Sequence, residues 1–186
     1  MEAFLVSTGL VALAEIGDKT QLLSLVLAAR FRRPWPIVLG ILASTLLNHA
    51  MAGAVGAWLN NVVGPVWMAR AVGVSFLAMA AWILVPDKID EADATARTSH
   101  GVFLTTALLF FAAEMGDKTQ VATVVLAARY DSLVSVVAGT TLGMMLANVP
   151  VVLFGEALAR RMPVAVVRKI TAVFFAVLGV AALWTA

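Results

Sequence analysis

Two copies of one charged octapeptide, Ala-Glu-x-Gly-Asp-Lys-Thr-Gln, lie inside long apolar stretches of this 186-residue chain, at residues 14–21 and 113–120. Each copy places two carboxylates and one ammonium group where a membrane span would be driest. Each such charge costs roughly 2.5 to 3.5 kcal/mol at the centre of a span. Because burying these charges is so costly, the groups must pair with one another or bind a ligand. The presence of two copies of the motif favours ligand binding.

The motif side chains suit the binding of a hard cation. The candidate ligands are the four carboxylates Glu15, Asp18, Glu114 and Asp117, and the candidate charge-balancing groups are Lys19 and Lys118. These six groups sum to −2, which one divalent cation would neutralise. Oxygen ligands without sulfur or clustered imidazole favour calcium, magnesium or manganese over copper and zinc. Buried carboxylates that repel one another are expected to take up protons when the cation leaves, so metal and protons would compete for one site.

Further polar groups are candidates for supporting the metal or lining its path: Thr20, Gln21, Thr119, Gln120, Asn48 and Asn148. On an uninterrupted helix, Glu15, Asp18 and Lys19 would share one face. The glycine between the two acids would either let a partner helix approach closely or let the helix break and expose carbonyl oxygens. For Asn48 and Asn148, hydrogen bonding between packed helices is an equally good interpretation.

A purely structural role is the alternative interpretation of the motif charges. In that case Glu15 would pair with Lys19, and Asp117 would pair with a lysine across the helix interface. Small residues at helical spacing, Gly40 with Ser44 and Gly139 with Gly143, are typical of close helix packing rather than of function.

The composition predicts a membrane protein. The chain is 62% hydrophobic and 13% charged, with a mean hydropathy of +0.97 and no cysteine. At about 20 residues per span it has room for six transmembrane helices. The predicted spans are residues 3–29, 36–58, 66–85, 102–128, 132–156 and 164–185. The fold class expected is therefore an all-α membrane protein.

A shift of 99 residues superimposes the two halves of the sequence. It aligns Ala12–Arg30 with Phe111–Arg129, and twelve of these nineteen pairs are identical. Because three spans per half is an odd number, the halves should cross the membrane in opposite senses. The sequence thus predicts two inverted three-helix repeats, residues 1–85 and 102–186, joined by an acidic cytoplasmic linker over residues 86–101. Inverted repeats are typical of secondary transporters, which bind substrate near the midplane at the repeat interface.

The distribution of lysine and arginine predicts the orientation. Positive charge gathers after the first, third and fifth spans, which by the positive-inside rule places both termini on the non-cytoplasmic side. These residues are Arg30, Arg32, Arg33, Lys88, Arg97, Arg160, Arg161, Arg168 and Lys169. The net charge of +2 is accordingly interpreted as a topology signal, with no nucleic-acid partner expected.

The paired motifs, the three spans per half and the acidic central loop resemble the small cation/proton exchanger family, which includes bacterial manganese exporters and Golgi calcium/manganese–proton exchangers. The resemblance covers essentially the whole chain, with Glu15–Gln21 matching the first family motif and Glu114–Gln120 the second. It implies export of Mn²⁺ or Ca²⁺ from the cytosol against protons, with the motif acids as ligands. The lack of a long N-terminal extension resembles the compact bacterial members, and so implies the cell (inner) membrane.

The function expected is that of a secondary transporter, not an enzyme, that exports Mn²⁺ in exchange for protons. A Ca²⁺/H⁺ antiporter of the same family is the first alternative, and an amino-acid exporter is the second. An intramembrane metal-dependent hydrolase is disfavoured, because the sequence offers no nucleophile–base pair. No cofactor is expected. The expected partners are the divalent cation and protons as substrates and the lipid bilayer, and the oligomeric state is left open.

Overall fold

The computed structural model describes residues 1–85, 101–155 and 163–184, and within these ranges the chain is helical. The predicted linker over residues 86–101 lies, except for Gly101, outside the described residues. The described helices are α1 (Glu2–Glu15), α2 (Lys19–Phe31), α3 (Pro34–Val62), α4 (Pro65–Ile83), α5 (Gly101–Glu114), α6 (Lys118–Arg129), α7 (Leu133–Phe154) and α8 (Val164–Trp184).

Four of these helices, α3, α4, α7 and α8, are long and apolar enough to cross a membrane. At about 1.5 Å per residue, 18 to 20 residues cover roughly the hydrocarbon thickness of a bilayer. Their ends lie within four residues of the predicted second, third, fifth and sixth spans. The chain is therefore an all-α membrane protein, as the composition predicts.

The predicted first and fourth spans are each divided into two helices at the motif. The first breaks between Glu15 and Lys19, and the second breaks between Glu114 and Lys118. The cause is the motif glycine, since Gly17 has φ +80° and the equivalent Gly116 has φ +76°. A residue with a Cβ disfavours this left-handed region, and a helix cannot pass through it. The helix break that the sequence offered as one of two possibilities is the one adopted.

Close packing joins α3 and α7 each to a short helix from the other half of the chain. A Cβ added at Gly40 of α3 would lie 2.8 Å from the Phe103 carbonyl oxygen of α5. A Cβ at Gly139 of α7 would lie 2.6 Å from the Phe4 carbonyl oxygen of α1. These contacts are related by the 99-residue shift, with the partners exchanged. The prediction that the small residues serve helix packing is confirmed at both glycines.

The remaining long helices, α4 and α8, pack against each other through Phe76 and Phe175. These rings lie 99 residues apart in sequence, and their centroids are 5.8 Å apart in an edge-to-face arrangement. Both rings are buried in the main apolar core, which also contains Leu10, Leu126 and Met144. The 99-residue shift relates these two rings to each other.

Candidate cation site

Each motif forms a short loop between two helix ends, and the two loops have the same internal hydrogen bonds. The backbone N–H of Asp18 donates to the Glu15 carbonyl at 3.0 Å, and that of Asp117 donates to the Glu114 carbonyl at 3.0 Å. The aspartates then start α2 and α6 in an extended conformation, while the glutamates end α1 and α5. The break thus places the acids of each motif on two different helices that converge at one point.

The glutamine of each motif closes its own loop. The N–H of Gly17 donates to Gln21 Oε1 at 2.9 Å, and the N–H of Gly116 donates to Gln120 Oε1 at 2.7 Å. Because the amide oxygens accept these bonds, the two glutamines shape the loop in this structure. That the two glutamines also help to bind the metal stays a prediction.

Three carboxylates from the two motifs converge. Glu15, Glu114 and Asp117 are buried, and each offers an oxygen such that all three oxygens lie within 4.8 Å of one another. Calcium–oxygen distances of about 2.3 to 2.6 Å place opposite ligands about 5 Å apart. Three oxygens at the observed spacing therefore fit around a single cation of this kind.

The lysines pair across the two motifs. Lys19 Nζ lies 3.0 Å from Asp117 Oδ1, and Lys118 Nζ lies 3.2 Å from Asp18 Oδ1. The pairing of Glu15 with Lys19 that a structural role within one motif would require is not the pairing observed. Asp117 does pair with a lysine from the other motif, as the same interpretation supposed. Each lysine thus contacts one aspartate of the other motif, and the two ion pairs observed between the motifs involve the aspartates.

The threonines hold the glutamates. Thr20 Oγ1 donates to Glu15 Oε2 at 2.5 Å, and Thr119 Oγ1 donates to Glu114 Oε2 at 3.0 Å. The second oxygen of each glutamate, Oε1, is buried and accepts no hydrogen bond within the described part of the chain. A buried oxygen of this kind is costly unless a proton or a cation satisfies it. The arrangement can therefore bind either, and the threonines fix where it would be bound.

The two asparagines bond between helices. Ser24 Oγ donates to Asn148 Oδ1 at 2.7 Å, which joins α2 to α7. Asn48 Nδ2 donates to the Phe111 carbonyl at 3.3 Å, which joins α3 to the last turn of α5. Both asparagines make these bonds outside the cluster formed by Glu15, Glu114 and Asp117. This geometry matches the alternative that they hydrogen-bond packed helices, and a role in lining the path stays a prediction.

Sequence reasoning missed the contacts that α8 makes with the first motif. Arg168 Nη2 donates to the Gly17 carbonyl at 3.1 Å, and Thr171 Oγ1 donates to the Leu13 carbonyl at 3.2 Å. From the sequence, Arg168 is only one of the topology charges. The available signal was its place inside the predicted last span, where a cation needs an acceptor.

Comparison with known proteins identifies the family. Residues 3–91 and 102–186 match the family model described as the divalent cation/proton antiporter GDT1. A Vibrio cholerae protein named "Putative manganese exporter" is 49% identical over 182 residues, covering 97% of this chain and 90% of that protein. A GDT1-like protein of Synechocystis is 27% identical over 100% of this chain and 98% of its own length. GDT1-like protein 3 of Oryza sativa is 26% identical over 94% of this chain and 71% of its own. No solved structure matches the chain. The chain belongs to the GDT1 family of divalent cation/proton antiporters, a family of transporters and not of enzymes.

Proposed function

We propose that this protein exports Mn²⁺ from the cytosol in exchange for protons, and that Glu15, Glu114 and Asp117 bind the cation, with Asp18 as the fourth acid of the site. One observation carries the proposal. Carboxylate oxygens from both motifs lie within 4.8 Å of one another, and the Oε1 atoms of both glutamates accept no hydrogen bond from the described residues. A single cation bound there would satisfy oxygens of both halves at once.

The charge balance supports exchange rather than one-way flow. The two lysine–aspartate pairs are neutral, so the net charge of −2 resides on Glu15 and Glu114. One divalent cation neutralises it, and two protons neutralise it equally well. When the cation leaves, one proton on each glutamate would restore neutrality in the membrane interior. We therefore expect one cation to exchange for two protons at these two groups.

The choice of manganese follows from the relatives and from the ligand chemistry. The Vibrio cholerae relative, named as an exporter of manganese, is 49% identical over 97% of this chain. The donor set is all oxygen, which suits hard divalent cations. Ca²⁺ has the same preference and is the second candidate substrate.

The architecture we propose is six spans in two inverted repeats, residues 1–85 and 102–186. In this arrangement α1 with α2, and α5 with α6, are two discontinuous spans, and α3, α4, α7 and α8 are the other four. Discontinuous spans that meet at a central substrate site are typical of secondary transporters. The contacts that recur under the 99-residue shift, including both lysine–aspartate pairs, support a two-fold relation between the halves.

The location we propose is the inner membrane, with both termini on the non-cytoplasmic side. The distribution of lysine and arginine supports this orientation. The bacterial exporter relative supports the membrane. The linker after α4 would then be cytoplasmic.

An amino-acid exporter is less consistent with the site. Such a transporter would need an ammonium group to meet the carboxylate of its substrate. Lys19 and Lys118 instead contact aspartates at 3.0 and 3.2 Å. A hydrolytic enzyme is also less consistent with the site. The motif hydroxyls that could act as nucleophiles, Thr20 and Thr119, donate hydrogen bonds to the glutamates that we propose as metal ligands.

Flux through proteoliposomes tests the proposal. Purified protein would be reconstituted with a metal-sensitive dye and a pH-sensitive dye inside the vesicles, and exposed in turn to Mn²⁺, Ca²⁺, Mg²⁺ and amino acids. We expect Mn²⁺ flux with opposed proton flux, which Glu15→Gln and Glu114→Gln each abolish. Asp131→Asn, at an exposed acid outside the motifs, is the control and should retain full flux. Full flux in either glutamate variant, or metal flux without proton movement, would contradict the proposal.

A further inference from the structure

The two motif loops have the same internal bonds but are covered differently. The Val164 side chain of α8 packs on the first loop so closely that a Cβ at Gly17 would overlap it. At the second loop, apart from Gly116 and its two chain neighbours, no described residue has an atom within 4 Å of the place that a Gly116 Cβ would take. Met115, beside it, is 49% exposed. One end of α8 therefore covers the first loop, and the second loop is open.

Hydrogen bonds fasten α8 to the first loop. Because α1 ends at Glu15, the carbonyls of its last turn lack the usual helical donors. The N–H of Gly17, which would serve Leu13 in a continuous helix, donates to Gln21 instead. The single hydroxyl proton of Thr171 is shared between the Leu13 carbonyl, at 3.2 Å, and the Val167 carbonyl of its own helix, at 2.9 Å. Arg168 Nη2 donates to the Gly17 carbonyl at 3.1 Å. A cationic donor at a helix C-terminus is favoured by the helix dipole as well as by the bond itself.

The other half of the chain lacks these donors. The 99-residue shift relates Arg168 to Ala69 and Thr171 to Val72, both on α4. Neither alanine nor valine has a side-chain donor. If α4 covered the second loop as α8 covers the first, it could not form the same bonds with these residues. Among the described residues, Ala69 and Val72 of α4 therefore offer no counterpart to the bonds that Arg168 and Thr171 make.

A second difference between the halves lies in the outer half-helices. On α6, Ala127 and Ala128 are buried, and a Cβ at Gly56 of α3 would overlap α6. The equivalent residues of α2 are more open, since Ala28 is half-buried and Ala29 is exposed. A groove of 550 Å³ lies between α2 and the end of α7, and its lining includes Ala28, Ala29 and Val152. A two-fold relation between the halves would allow two arrangements. In the one seen here, α6 packs closely against α3, and the equivalent residues of α2 are more exposed.

We propose that Arg168 is a conformational latch that stabilises this arrangement over a second one, in which the two halves exchange roles. In that second arrangement α4 would cover the second loop, and α8 would no longer cover the first loop. The inference rests on the proposed transport function, because alternating access requires both arrangements. Arg168 is a positioning residue and does not contact the converging carboxylates. It acts by holding the carbonyl between Glu15 and Asp18, and it must release that carbonyl once in every transport cycle.

Spin labels at two equivalent positions test the latch. The chain contains no cysteine, so Ile16→Cys and Met115→Cys, 99 residues apart, each give a single nitroxide site. The mobility of the label, measured by electron paramagnetic resonance, reports whether other residues cover the loop. It does so whether the uncovered loop faces lipid or water. In the parent protein we expect an immobilised label at position 16 and a mobile label at position 115.

The Arg168→Ala variant should move the two labels in opposite directions. The ratio of mobile to immobilised label should rise roughly tenfold or more at position 16 and fall at position 115, as expected for loss of one hydrogen bond to a charged donor. Arg168→Lys retains a donor and should give a smaller shift. Lys169→Ala, which removes the neighbouring exposed cation, is the control and should change neither label.

Transferring the donor sharpens the test. Adding Ala69→Arg to Arg168→Ala places a guanidinium at the equivalent position of α4, and should immobilise the label at position 115 beyond the level seen with Arg168→Ala alone. Thr171→Val is a milder second variant and should give the same directions as Arg168→Ala with a smaller size. Mobility that rises at position 16 and stays unchanged at position 115 would mean that Arg168 only packs locally, and would overturn the latch.

The label experiment needs no transport, so the two proposals fail separately. Opposed label shifts in a protein that moves no metal would support the latch and remove the proposed cargo. Normal Mn²⁺/H⁺ exchange with unchanged labels in Arg168→Ala would support the cargo and overturn the latch.

Discussion

The two motifs have the same sequence apart from one residue, Ile16 against Met115, but they lie in different surroundings. Lys118 is 4% exposed in its side chain, and the equivalent Lys19 is 27% exposed. Gln21 is buried and donates to the Ala147 carbonyl at 3.1 Å, whereas Gln120 is half-buried and donates to Met115 Sδ at 3.8 Å.

This difference separates what the motif determines from what its neighbours determine. The glycine turn, the glutamine closure, the threonine–glutamate bond and the crossed ion pairs recur in both copies, so the repeated residues are sufficient for them. The burial of each copy depends on α3, α4, α7 and α8, where the two halves have diverged. The local structure of the site thus depends on residues that occur in both halves. The difference in burial between the two copies depends on residues that occur in one half and not in the other.

The largest difference between the halves should appear when each ion pair is broken. Asp18→Asn leaves Lys118 buried without this carboxylate, and loss of one partner of a buried pair costs about 3 to 5 kcal/mol. Asp117→Asn leaves the more exposed Lys19, which water can reach. We expect a larger fall in the melting temperature of the purified protein for Asp18→Asn.

Combining Asp18→Asn with Lys118→Met is the control, because it removes the stranded charge and should restore most of the lost stability. Equal destabilisation by Asp18→Asn and Asp117→Asn would show that the two ion pairs have equivalent environments, against the burial observed.

A smaller difference is expected at the motif glycines. Alanine in the left-handed region costs about 1 to 2 kcal/mol, and this applies to both Gly17→Ala and Gly116→Ala. Only at Gly17 does the new methyl group also meet Val164, and overpacking adds about 1 to 3 kcal/mol. Gly17→Ala should therefore lower the melting temperature more than Gly116→Ala, and Val164→Ala should recover the excess. A larger loss at Gly116 would contradict the description of the second loop as open.

The smallest effect, and a symmetric one, is expected at the threonines. Thr20→Val and Thr119→Val each remove the hydroxyl that holds a glutamate. Loss of a group that orients a metal ligand typically weakens metal affinity 10- to 100-fold, so we expect about tenfold weaker Mn²⁺ binding in each variant. Serine at either position keeps the hydroxyl and should retain the affinity. A defect in only one of the two valine variants would show that the glutamates do not share one ion.

Much of the fold follows from the sequence, because membrane burial depends on apolar length. The ends of α3, α4, α7 and α8 fall within four residues of the predicted spans. The 99-residue shift also suggests which acids meet, since antiparallel packing of the equivalent spans brings the motifs together. Glu15, Glu114 and Asp117 do converge in the structure.

What the sequence leaves open depends on tertiary contacts. A glycine in an apolar helix is compatible with close packing and with a break, and both occur here, at Gly40 and at Gly17. The choice of lysine partner depends on how the two loops face each other. The Arg168–Gly17 bond joins residues 151 positions apart, and it exists only because the start of α8 docks at the first loop.

The stoichiometry of Mn²⁺ binding to the purified protein tests the central claim most directly. A site shared by both motifs predicts one Mn²⁺ per chain, and loss of that binding in Glu15→Gln and in Glu114→Gln alike. Two bound Mn²⁺ per chain in the unmodified protein, or one Mn²⁺ retained in either variant, would mean that each motif binds its own ion, and would contradict the shared site.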